Sequence, residues 1–163
     1  MVDLTEKIRA IHKDIPDWND RHIAGARLCG INTHSWPIKD NQLSLNENGV
    51  FVKADKIWSY KDKQLRDDFS VVIHAKQLPN EKIISAWNYS LGIESMGGSY
   101  RPLSILSVHH FNSFDEAFNF ERLEIANKIE YHMTKGFILI SHAAELNKIR
   151  SALIKASTQY KLF

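Results

Sequence analysis

The sequence predicts an α+β domain: a four- to five-stranded, mostly antiparallel sheet with N- and C-terminal helices packed on one face. Three observations carry this reading. The first residues repeat apolar side chains at threes and fours, the middle of the chain alternates them by twos, and the last fifty residues return to threes and fours. Composition agrees: 44% of the 163 residues are hydrophobic and the net charge is +2, which supplies a core and argues against a disordered chain. One domain is the ordinary content of this length, so residues 1–163 read as a single globular domain.

The N-terminal stripe is Leu4, Ile8, Ile11 and Ile15. Asp3 is expected as the N-cap, with Glu6 three residues on as its capping-box partner. Pro16 should end the helix, because a residue before proline is pushed out of the α region. Residues 17–48 leave alternatives open. The segment 23–31 fits a short helix or a strand, and 32–48, rich in Asn, Asp and Ser, reads as loop.

The middle reads as β. Residues 50–60 mix β-branched and aromatic side chains. Phe69, Val71, Ile73 and Ala75 alternate with Ser70, Val72 and His74. Residues 83–93 place Ile84, Ala86, Asn88 and Ser90 on one parity and Trp87, Tyr89 and Leu91 on the other. Residues 103–110 read as a further apolar strand, and 94–101, containing Gly97 and Gly98, as the hairpin loop before it. Asp67-Asp68 and Pro79-Asn80 mark earlier connections, and connections this short favour antiparallel pairing.

The last third reads as helical. Ser113 and Glu116 form a capping box, and Phe114, Ala117, Phe118, Ile125, Ala126, Ile129 and Met133 follow one stripe. Gly136 is the expected stop, 137–140 a short buried strand, and Leu146, Ile149, Leu153, Ala156 and Tyr160 the stripe of a final helix.

Several classes of function are disfavoured. A single cysteine, Cys29, cannot make an intramolecular disulfide, and its apolar neighbours predict a buried, inert thiol. No apolar run approaches the ~20 residues of a membrane span, and no leader-like h-region follows the first residues. A cytoplasmic protein without membrane association is the expectation. The eight histidines show neither H-x-H nor H-E-x-x-H spacing, so neither a metal nor a cofactor is expected.

Three patterns could carry chemistry. His109 or His110, with His74 and a carboxylate from Asp68, Asp115 or Glu116, could form an acid–base pair, although adjacent strand residues point to opposite faces. Gly97-Gly98 with Arg101 could cradle an anion, against the plainer reading of a turn with a solvated arginine. Lys56, Trp58, Tyr60, Lys61 and Lys63 interleave cations with aromatics as single-strand nucleic acid platforms do, against the plainer reading of a lysine-guarded edge strand. Residues 134–163 carry five cations and one acid, an asymmetry that cations near a helix C-terminus account for.

The function expected is therefore a small protein-binding or inhibitory protein, immunity- or antitoxin-like, that docks on a protein partner. Trp58, Tyr60, Trp87, Tyr89, Tyr100 and Arg101 are its candidate binding residues, because Trp, Tyr and Arg dominate interface hot spots. No catalytic residue is assigned. The alternatives are a small hydrolase or nuclease using His109 or His110 with a carboxylate, and a nucleic-acid-binding module. For Trp58 and Trp87 a core position competes with the binding one.

Overall fold

The computed structural model describes residues 1–39, 43–61, 69–91, 98–135 and 143–158. Their elements, in chain order, are β1 (Val2–Asp3), α1 (Thr5–Asp14), α2 (Trp18–Leu28), β2 (Lys56–Tyr60), β3 (Phe69–Gln77), β4 (Ile83–Leu91), β5 (Gly98–Arg101), β6 (His109–His110), α3 (Phe114–Thr134) and α4 (Ala143–Thr158). The strands form a four-stranded antiparallel sheet, ordered β2-β3-β4-β5, and a two-stranded ladder of β1 with β6. This is the α+β class the periodicities predict, with helices at both ends of the chain. The chain divides into two compact units. The first comprises Met1–Lys56, His74–Ser85 and Pro102–Ala117, the second Ile57–Ile73, Ala86–Arg101 and Phe118–Phe163.

In the first unit the N-terminal stripe buries Leu4, Ile8 and Ile11 against Ile15, Ala24, Leu28, Leu106 and Val108. The helix starts one residue later than the capping-box expectation. Asp3 is held in the ladder opposite His109, Leu4 takes the N-cap position, and the Asp3 carboxylate accepts the Thr5 N–H at 2.8 Å. Glu6, freed from a cap role, pairs with Arg9 at 2.5 Å. The open segment 23–31 is helical as far as Leu28, where α2 ends, and turns at Cys29-Gly30. Asp17 supplies the N-cap of α2 by accepting the Asp20 N–H at 3.0 Å. Gly49 closes a tight turn, with φ at +72° and its amide bonded to the Asn46 carbonyl.

Two strand expectations shift. The ladder β2 covers only 56–60, with Val50 and Phe51 contributing isolated bridges. Residues 98–101, expected as loop, form β5, whereas 103–110 shrinks to β6. Pro102 is the physical reason: it has no N–H to donate, so the ladder stops at Arg101. Ser104 then turns the chain, its hydroxyl and carbonyl accepting the N–H groups of Leu106 and Ser107 at 3.0 Å each.

In the second unit α3 and α4 bury Ile125, Ala126 and Ile129, and Leu146, Ile149 and Leu153. At the end of α4 the stripe closes on Ser157, not Ala156. Ser157 is buried and returns its hydroxyl to the Leu153 carbonyl at 2.9 Å. The Ser113 cap is present, with its hydroxyl accepting the Glu116 N–H at 3.1 Å, but Glu116 reaches back to the Asn112 N–H. Expectations resting on Asp67, Asp68, Gly97, Gly136, 137–140, His142 and Tyr160 lie outside the described residues.

Candidate functional site

The stripe of α3 read from the sequence skips two positions, 121 and 122. The structure fills them with charge. Glu121 and Arg122 are both buried, between Ala117-Phe118 above and Ile125-Ala126 below. A charge is this deep only when something compensates it, because desolvation of an isolated ion is very costly. The compensation comes from the sheet. Glu121 accepts a charge-assisted hydrogen bond from the Arg101 guanidinium of β5. Arg101 in turn lies over the indole of Trp87, 3.7 Å from the ring, and is its cross-strand partner in the β4–β5 register. Lys128, two turns on from Glu121, reaches the same indole at 5.8 Å. Arg122 bonds Asn119 and stands 5.1 Å from the Trp58 ring of β2.

Thus α3 lies against the face of this unit's sheet that carries Trp58, Trp87 and Arg101. Burial lowers the Arg101 pKa to about 10, with Glu124 opposing the shift by its charge. The indole Nε1 of Trp87 and the Nε of Arg101 are buried donors with no hydrogen-bond partner among the described residues.

The alternation of β4 and β5 then sorts the six candidate binding residues. Of the two readings open for Trp87 the core position is the one observed, at 8% exposure, and Tyr89 is buried beside it at 3%. They occupy the parity that α3 covers, because Arg101, opposite Trp87, is bonded to α3. Tyr100 and its partner Asn88 occupy the other parity, and both are exposed, Tyr100 by 69%. Trp58 and Tyr60 are half-buried. Tyr89 forms one wall of an open depression of about 380 Å³ completed by Glu124, Asn127, Lys128, Tyr131 and His132 of α3. Its phenol is shifted upward by burial, with a Ser99 hydrogen bond opposing.

The site as built therefore joins Trp87, Tyr89 and Arg101 with three residues absent from the sequence reading: Glu121, Arg122 and Lys128. A signal for two of them was present. Charged residues at 121 and 122 interrupt an apolar helix stripe at the two positions the period assigns to the core.

The described residues of the histidine alternative lie in the first unit. His110 is 2% exposed and His109 half-buried, on a strand of two residues in the first unit. Of the carboxylates named for them, Glu116 is occupied by the Asn112 N–H and the N-terminal ammonium, at 2.7 and 2.6 Å, and Asp115 is exposed. His74 lies on the half-buried parity of β3. Cys29 is fully buried, its thiol directed at the Ile105 carbonyl, and burial pushes its pKa up to about 12. Among the described residues no group of His, Cys, Asp and Glu could hold a metal ion, and no helix is long and apolar enough to cross a membrane.

Compared with known proteins, the chain matches no family model, no curated protein and no solved structure.

Proposed function

We propose that this chain is a protein-binding module of the inhibitory, immunity- or antitoxin-like kind, acting in the cytoplasm, and that it docks through the second unit with Tyr100 as its anchor. The observation that carries the reading is the way β5 is held. A four-residue strand is short enough to fray, yet Arg101 is clamped by the buried Glu121 and by the Trp87 face behind it. The next residue back, Tyr100, is thereby presented rigidly on the opposite parity at 69% exposure.

A tyrosine offers large contact area with few torsions to freeze. Held rigid before binding, it loses little entropy in the complex. Ile57 of β2, 61% exposed, adds an apolar side chain in the same unit. The wide opening of the depression beside Tyr131 suits a protein surface better than an enclosed small molecule.

Nucleic acid stacking on Trp58 is the weaker reading, because a base would have to displace the Arg122 guanidinium near that ring. A photo-reactive phenylalanine analogue at position 100 of the full chain tests the proposal. The expected result is one discrete protein adduct in the cells that make the chain, absent when the same group is placed at Lys7 of α1. Equal labelling from both positions, or an adduct with nucleic acid, would overturn it.

A further inference from the structure

The ladder of β1 with β6 does a second job in the first unit. It ties the N-terminal segment, and with it α1, to the rest of that unit. Val2 pairs with His110, Asp3 pairs with His109, and the Leu4 N–H donates to the Val108 carbonyl at 2.6 Å. Behind this strap, α1 covers Ala24, Leu28, Leu106 and Val108.

His110 stands at one end of the fastening, opposite Val2. Its ring is buried, one side meets the backbone of Ser107, and its Nε2 has no hydrogen-bond partner among the described residues. A neutral imidazole tolerates that arrangement. Protonation would place both a charge and a new N–H where no described acceptor stands, and each is costly in a buried site.

The Ser107 backbone bond favours a charged ring, but burial outweighs it, and the neighbouring charges add to the opposition. His109, on β6 itself, and Lys82, just before β4, both oppose a positive charge on His110. The Lys82 ammonium is fixed nearby on Asn112 at 2.7 Å. Two carboxylates of the first unit, Asp3 and Glu116, are already engaged. Asp3 of β1 accepts from Thr5, and Glu116 of α3 is held by the Asn112 N–H and the N-terminal ammonium. Burial is the first cause that holds the His110 imidazole below its ordinary value of 6.5.

We propose that His110 is a proton-operated catch for the strap: neutral, it keeps β1 and α1 closed on the first unit, and a proton releases them. The direction follows from linkage. Above pH 6.5 the ring is neutral whether the strap is open or closed, so pH has no leverage. Below it, the open form takes up a proton that the closed form refuses. The closed-to-open ratio then falls by about tenfold per pH unit until the closed-state value is reached. Release uncovers the apolar surface of Ala24, Leu28, Leu106 and Val108, which neutral pH keeps covered.

Two measurements on the full chain decide it. Nuclear magnetic resonance titration of the wild-type imidazoles should show His110 titrating below the ordinary value of 6.5. Amide-exchange protection at Leu4 and through α1 should fall by at least tenfold between pH 7.5 and 5, beginning near pH 6.5 and levelling off as the His110 ring itself titrates, while amides of α3 stay protected. His110→Gln should abolish this pH dependence, and His109→Gln should retain it. The proposal is overturned if the wild-type ring titrates at an ordinary value with α1 protection unchanged. It is equally overturned if His110→Gln opens over the same pH range. Because the titration is made on the wild type, it decides the matter even if the variant fails to fold.

Discussion

Glu121 is fully buried and is paired with a partially exposed arginine, Arg101, so its energetic role is lopsided. Replacing one member of a buried pair strands the other, which costs roughly 3–5 kcal/mol, whereas replacing both by apolar residues of similar size is often neutral. Glu121→Leu should therefore destabilise by about 3 kcal/mol in urea unfolding, and Arg101→Met added to it should recover most of the loss. Trp87→Ala removes a buried indole and should cost roughly 3–5 kcal/mol by the same assay. At Gly49 the expected loss has a different origin. A Cβ there would stand 2.7 Å from His22 Cδ2 and 2.9 Å from Ile105 Cγ1, and the positive φ already disfavours any side chain. Gly49→Ala should lower stability by about 1–3 kcal/mol, read from the same unfolding midpoints. Little of this was visible one residue at a time. The sequence marks Trp87 as large and apolar and Glu121 as charged, and only the packing of α3 on β5 shows that the two share one arginine.

At the scale of elements the periodicities were informative where they were long. The stripe of α4 places Leu146, Ile149 and Leu153 in the core, and Leu153→Ala should destabilise by roughly 2–5 kcal/mol in thermal or urea unfolding. Alternation in β3 likewise predicted the buried parity of Phe69, Val71, Ile73 and Ala75. What the sequence blurred were short strands, where a few apolar residues fit more than one arrangement. β5 was hidden because its glycine and serine resemble a turn, and its limit is set by Pro102, which a strand reading of 103–110 passes over. Parity was harder still. Both faces of residues 83–91 are largely apolar, so nothing in the pattern says which one α3 covers. The pattern therefore leaves core and binding positions both open for Trp87. The Arg101–Glu121 bond, a contact across 20 residues, decides that parity.

At the scale of the whole molecule the two units have different proposed roles, a pH-sensitive strap in the first and a docking surface in the second. Tyr100 separates docking from packing better than any other candidate, because its exposure leaves it little to do in the isolated chain. With the partner recovered by cross-linking at position 100, the most direct test measures the dissociation constant and the thermal midpoint of Tyr100→Ala side by side. An interface anchor loses about 2 kcal/mol or more on truncation, so the dissociation constant should rise about 30-fold while the midpoint stays within a degree or two of wild type. Unchanged affinity, or weakened binding accompanied by a matching fall in the midpoint, would contradict the claim that the second unit binds through this residue.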